Sequence, residues 1–181
     1  LMKVSVVICT YSLDAYEALI EAIESVRSQT YGDTELIVVV DGNQSLYDRI
    51  VENYDSLTVH LNNENVGLSE SRNRGVEHSS GDIIAFLDDD AVADERWIEE
   101  LVSVYESRDA IAVGGKMVGQ WVAGKPSFLP KSSTGSLVSP TEGSPSRAKR
   151  SATPSARTSR FVGRYSRRSV SSTPSSVGVA R

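Results

Sequence analysis

Three consecutive aspartates, Asp88, Asp89 and Asp90, follow the apolar run Asp82 to Leu87 (DIIAFL). Side chains alternate along extended chain, so Asp88 and Asp90 face the same side. Two carboxylates so placed repel each other unless a cation lies between them, and hard oxygen donors suit Mg2+ or Mn2+. Mg2+ is typically held by one or two carboxylates together with substrate phosphates, so the expected metal residues are Asp88 and Asp90 and the expected ligand is a diphosphate. A solvated acidic loop is the bland alternative, and a position at the end of a fully apolar strand argues against it. Asp41 also closes an apolar run, Glu35 to Val40 (ELIVVV), where a carboxylate accepts hydrogen bonds from a base edge or a ribose, or simply forms the turn before Gly42. Arg72 lies in the stretch Asn65 to Gly75 (NVGLSESRNRG), one helical face from a phosphate that its guanidinium would grip bidentately, with an ordinary surface position as the alternative.

These residues need a scaffold, and the chain alternates between two periods. Val4 to Thr10 (VSVVICT) is a continuous β-branched run, the pattern of a strand covered on both faces. Leu19, Ile20, Ile23 and Val26 recur at helical spacing over residues 15–29, with Asp14 as the expected cap. Strands are then expected at 35–40, 57–61, 82–87 and Ala110 to Val118. Helices are expected around Leu46 to Tyr54, over Leu68 to His78, and around Ile98 to Tyr105 behind a cap at Asp94. Strict alternation of this kind predicts an α/β fold with a doubly wound, mostly parallel sheet. Ligands of such sheets bind beyond the carboxyl ends of the strands, which singles out Thr10, Tyr11, Asp41 and Asp88 to Asp90.

Composition divides the chain. Residues 1–130 hold 9 Lys/Arg against 23 Asp/Glu, whereas residues 131–181 hold 10 against 1 and contain 15 Ser. Only the first part has the apolar content for a core, and its acidity argues against direct nucleic-acid binding. The single cysteine, Cys9, excludes an intramolecular disulfide and a cysteine zinc site, and its place in an apolar run marks it as a small core residue. No apolar stretch approaches the roughly 18 residues that span a bilayer, and no secretory leader is visible, so the expected location is the cytoplasm.

Other acidic-site or nucleotide folds fit the order of elements poorly. A phosphoaspartyl phosphatase places its carboxylates directly after strand one, and a P-loop enzyme or a dinucleotide-dependent dehydrogenase places a Gly-rich turn there. Strand one here ends Cys9-Thr10-Tyr11. Four segments in this order and spacing, VSVVICTY, ELIVVVDGN, ENVGLSESRNRG and GDIIAFLDDDAVAD, resemble family 2 glycosyltransferases of the GT-A (Rossmann-like) fold. The resemblance implies that Thr10, Tyr11 and Asp41 line a nucleoside pocket and that Arg72 contacts the nucleoside or the diphosphate. It makes Asp88 to Asp90 a DxD motif with Asp90 on the Mn2+ or Mg2+ ion. It also implies a nucleotide-diphosphate sugar donor and inverting transfer. The stretch AVGGKMVGQWVAGKPSFLP is similar to archaeal glucosyl-dolichyl phosphate glucuronosyltransferases of N-glycan assembly, which implies a lipid-linked, dolichyl phosphate acceptor at the cytoplasmic face of a membrane.

The resemblance stops at Pro130. Family members continue into an acceptor-binding half with an acidic general base, whereas residues 131–181 show neither strand nor helix period and read as a disordered Ser/Arg-rich tail whose sole acid is Glu142. Lys131 to Val138 can be encoded so that the frame one base earlier reads Glu-Glu-Phe-His-Trp-Leu-Val-Gly, a family-like string. The expectation is therefore a donor-binding part over residues 1–130, no catalytic base, and a tail arising from a frame change near residue 130. The competing classes are a non-catalytic nucleotide-binding fragment and an adaptor whose basic tail binds nucleic acid or anionic membrane, the latter marked by a steep salt dependence.

Overall fold

A computed structural model of the chain describes residues 1–108 and 110–115 in full, and the backbone of the strand segments 119–121, 156–158 and 161–166. β1 (Val4–Thr10) is followed by a single 3-10 turn (Leu13–Ala15) and α1 (Tyr16–Arg27). Next come β2 (Thr34–Asp41), α2 (Gln44–Asn53), β3 (Thr58–Asn62), α3 (Leu68–Glu77), β4 (Ile83–Asp88) and α4 (Trp97–Ser107). Three further strands are β5 (Gly119–Trp121), β6 (Ala156–Thr158) and β7 (Phe161–Ser166).

The main sheet has the order β3-β2-β1-β4-β7. Its first four strands are parallel, and β7 runs antiparallel to β4. The order reverses between β1 and β4. That is the switch point where the loops above two adjacent strands leave in opposite directions and open a crevice. Cys9 is the register partner of Asp88 there, and Asp41 is the register partner of Asn62 between β2 and β3.

β1 reads as unbroken apolar sequence because both of its faces are covered. Val4, Val6 and Ile8 join the larger core with α1, α2 and α4, where Leu19, Ile23, Leu46, Ile50 and Ile98 are fully buried. Each such side chain stabilises the fold by about 1.5–3 kcal/mol. Val7 faces the other way, into a smaller cluster with Ile37, Val39 and Ile84. α3 covers that face, and it approaches closely because its inward positions are the small Ser71 and Gly75. A Cβ on Gly75 would run into Val7 Cγ1. At the far end of the sheet from the crevice, Glu35 accepts hydrogen bonds from Ser5, from the Ser80 N–H and hydroxyl, and an ion pair from Lys3 at 2.7 Å. Burial would raise the Glu35 pKa, but Lys3, Ser5 and Ser80 outweigh it and hold the carboxyl at about 2.

Several expectations need correction. Asp14 does not cap α1: the 3-10 turn intervenes, its cap is Ser12, whose hydroxyl accepts the Asp14 N–H, and α1 begins at Tyr16 without a side-chain cap. Asp94 lies one turn ahead of α4, where its carbonyl accepts the Trp97 N–H at 3.0 Å and its carboxylate the Arg96 N–H. Residues 110–115 form no strand, although Ala110 to Val118 was expected to be one; 116–118 lie outside the described residues. Gly114 and Gly115 interrupt that run and weaken it as a strand, and the edge of β4 pairs with β7. β6 and β7 fall within 131–181, where the sequence shows no strand period, and the rest of that stretch lies outside the described residues.

Candidate functional site

The expected site residues fall into two connected groups at the carboxyl ends of the parallel strands. The first sits at the switch point. Arg72 projects from α3 to the end of β4, where its Nη2 donates to Asp88 Oδ1 at 3.0 Å and its guanidinium lies 5.6 Å from the centre of the Phe86 ring. Both partners are about one-fifth exposed, at 23% and 20%, so solvent screens the pair only in part. Arg72, expected at the nucleoside or the diphosphate, is thus already drawn to the first of the three aspartates.

Asp89 is half-buried beside Thr10. Burial pushes its carboxyl pKa up, the Thr10 hydroxyl offsets part of that rise, and repulsion from Asp90 and Asp88 adds to it. The Thr10 hydroxyl itself is buried without a partner in full hydrogen-bond geometry. Asp90 is exposed. Among the described residues three carboxylates and one guanidinium meet at the crevice, an acidic row of the kind that attracts cations. Among the described residues no three acidic, histidine or cysteine side chains converge into a closed metal cage. One or two hard carboxylate oxygens per ion, with the rest supplied by phosphate, is the donor set that suits Mg2+ or Mn2+ arriving with a diphosphate. The residues fit a metal carried in that way.

Cys9 stands on β1 opposite Asp88. Burial pushes its thiol pKa up to about 12, Arg72 lowers it, and Asp41, Asp89 and Asp88 raise it further. The group stays protonated and unreactive, as expected of a packing residue. Tyr11, the next residue after β1, exposes 65% of its surface. Its backbone carbonyl accepts from Asn43 Nδ2 at 2.9 Å, and Asn43 at the same time caps α2 by accepting the Leu46 N–H.

The second group surrounds Asp41, which is only 6% exposed. Its Oδ1 accepts from the Val66 N–H and from Asn62 Nδ2, and its Oδ2 from the Gly67 N–H, each at 2.9 Å. Burial alone would raise its pKa, but these bonds, with a contribution from Ser71, outweigh it and hold the carboxyl below the usual range. Asp41 therefore holds the loop that leads into α3. Gly42 makes room for that loop: it adopts φ 71°, and a Cβ there would collide with the Asn65 backbone nitrogen. Gly67, with φ 87°, turns the chain into α3.

Asn62, Ser71 and Arg74 complete this group. Asn62 Nδ2 also donates to Ser71 Oγ at 3.0 Å, and its Oδ1 accepts from Arg74 Nη1 at 2.8 Å. The sequence reading assigned none of the three, nor Asn43. The available signal was a polar residue ending β3, as Asp41 ends β2.

The glycosyl transferase family 2 model matches residues 5–155. Glucosyl-dolichyl phosphate glucuronosyltransferase of Haloferax volcanii is 51% identical over 134 residues, covering 72% of this chain and 43% of that protein. Glycosyltransferase AglE of the same organism is 33% identical over 120 residues, covering 63% and 39%. Among solved structures, S. aureus TarS 1-349 in complex with UDP-GlcNAc aligns with a TM-score of 0.59 at 24% identity, over 72% of this chain and 38% of that one. Mannosyltransferase PcManGT from Pyrobaculum calidifontis in complex with GDP-Man and Mn2+ aligns with a TM-score of 0.52 at 24% identity, over 62% and 35%. Both likenesses show the fold. The chain spans less than half the length of the curated relatives it matches.

Proposed function

The chain belongs to glycosyl transferase family 2, and from that premise we propose that the crevice between β1 and β4 binds a nucleotide-diphosphate sugar with Mn2+ or Mg2+ for inverting transfer to a lipid-linked glycan. The observation that carries this reading is the Arg72–Asp88 pair beside Asp89 and Asp90 at the switch point. It puts one guanidinium and a row of carboxylates where an open α/β sheet binds its ligand.

Asp90 and Asp88 would hold the metal, which when bound neutralises charge on the departing nucleoside diphosphate. Arg72 then has two acceptors within reach of one guanidinium, the Asp88 carboxylate and a phosphate oxygen, and its fork geometry suits both. The exposed ring of Tyr11 offers a flat face to the base, and Asn43 holds the backbone beneath it. Thr10 closes the floor of the crevice, its buried hydroxyl turned toward Asp89. Asp41 supports the wall by fixing the loop before α3.

The acceptor is proposed as a dolichyl phosphate-linked sugar, after the printed name of the 51% identical relative. Among the described residues none is assigned the general base, and Glu142, the one acid after Pro130, lies outside them. No helix among the described residues is long and apolar enough to cross a membrane. We hold residues 131–181 to be an out-of-frame continuation. The gene sequence across codon 130 tests that proposal: one restored base should open a frame encoding the family-like string, and a confirmed frame refutes it.

Asp90→Ala tests the donor site. The variant should keep its circular dichroism and lose the Mn2+-dependent part of its affinity for UDP or GDP. Unchanged metal-dependent affinity would remove the assignment.

A further inference from the structure

Asn62 is only 3% exposed and lies between the two groups of site residues. Its amide orientation is fixed by charge: the Nδ2 donor faces the Asp41 carboxylate and Ser71 Oγ, and the Oδ1 acceptor faces the Arg74 guanidinium. Its backbone carbonyl also accepts the Gly42 N–H at 3.1 Å. One side chain thus joins the end of β2 to α3 at two places, the buried Ser71 and the partly exposed Arg74, on either side of Arg72. Ser71 is fully buried against the sheet, so the helix cannot slide or roll at this turn without breaking the bond to Asn62.

We propose that Asn62 is a positioning residue for donor binding: by tying Asp41 to Ser71 and Arg74, it sets the register of α3 from which Arg72 reaches Asp88. The inference rests on the donor-site reading above. Neither Asn62 nor Arg74 need touch the ligand. Their effect is transmitted through the rigid helix, and the 3.0 Å Arg72–Asp88 contact is what reports it. Residues in one such hydrogen-bond network couple strongly, so cutting its centre should be felt at Arg72.

The test uses the full 181-residue chain, with UDP-GlcNAc and GDP-Man as probes in the presence of Mn2+. Their diphosphate diesters keep a constant charge between pH 5.5 and about 7.5. Asn62→Ala and Asn62→Asp should each weaken binding about tenfold at pH 7.5, the size of effect usual within one network. Asn62→Asp carries a second, diagnostic readout. At pH 7.5 the introduced carboxylate repels Asp41. Near pH 5.5 the two carboxyls, at hydrogen-bond distance, share a proton, the bond to Asp41 re-forms, and affinity should recover toward that of the unaltered chain at the same pH. The charged and titratable groups on the elements around the pair are Arg74 with its partner Glu70 and the stacked His60 and His78 of β3 and the end of α3, all present in every variant, so comparison with the unaltered chain at the same pH removes their effect.

A residue that only stabilises the fold would lower the melting temperature and leave the affinity of folded protein flat with pH. Unchanged affinity in both variants, or loss without recovery at pH 5.5, overturns the proposal while the donor site stands. Failure of the unaltered chain to bind either probe overturns the donor-site reading and the proposal together. If Asn62→Asp does not fold, Ser71→Ala removes only the helix end of the link, and it must weaken binding for the proposal to survive.

Discussion

Arg72 on α3 and Asp88 at the end of β4 meet at 3.0 Å, so a helix that packs on one face of the sheet holds the first of three successive aspartates at its edge. Removing the guanidinium leaves Asp88, Asp89 and Asp90 without that counter-charge. Arg72→Ala is expected to destabilise the fold by about 1.5–3 kcal/mol, the usual range for a hydrogen bond to a charged group. It should also weaken Mn2+–nucleotide binding about tenfold or more, and Arg72→Lys should not restore it, because an ammonium lacks the fork. Urea denaturation and calorimetric titration of the same two variants measure both effects.

Acid should loosen the opposite end of the sheet first through Glu35. Its folded pKa is about 2 against an ordinary 4.5, so it binds protons less readily folded than unfolded. The stability it contributes is therefore complete above pH 4.5 and is lost as pH falls from there toward 2. Asp41, also held below its ordinary value, acts in the same direction. Glu35→Gln should lower stability at pH 7 and flatten its fall between pH 4.5 and 2. Urea midpoints across that interval measure this, and parallel curves for variant and unaltered chain would contradict it.

Gly75 sets how close α3 lies to the sheet. Gly75→Ala gains about 1 kcal/mol of helix propensity but places a methyl against Val7 Cγ1, and overpacking of this kind costs about 1–3 kcal/mol. The expected net result is a lower melting temperature, with a loss of nucleotide affinity because Arg72 moves with the helix. Higher stability with unchanged affinity would show that α3 does not control the site.

How much of this was legible in sequence follows from the range of the interactions involved. β1 emerged with the expected bounds because burial on both faces leaves an unbroken apolar run, and the Asp88–Asp90 row stood out because three charges end such a run. The loop-holding contacts of Asp41 were hidden, since they reach Val66 and Gly67, 25 and 26 residues away. Asn62 was invisible for the same reason: an asparagine at the end of a short strand, with Asn63 beside it, has no periodic signature, and its side-chain partners come from two other elements, β2 and α3. Ser71 and Gly75 are small residues one turn apart on the helix expected over Leu68 to His78, yet only the closeness of Val7 to Gly75 explains why they must be. The expected caps at Asp14 and Asp94 failed through one extra turn each, a local choice of backbone that composition does not encode. Over residues 110–115 the strand expected at Ala110 to Val118 does not form, and Gly114 and Gly115 inside the run are the local reason.

The central claim is that a divalent cation and a nucleoside diphosphate bind together at the carboxyl ends of β1 and β4. Mn2+ is paramagnetic and broadens nearby resonances, so the most direct measurement is the amide spectrum of isotope-labelled chain titrated with Mn2+ in the presence of UDP or GDP. The account predicts nucleotide-dependent broadening centred on Thr10, Tyr11 and Asp88 to Asp90, with Lys3 and Glu35 at the other end of the sheet spared. Broadening that ignores the nucleotide, or that centres elsewhere on this acidic surface, would contradict it.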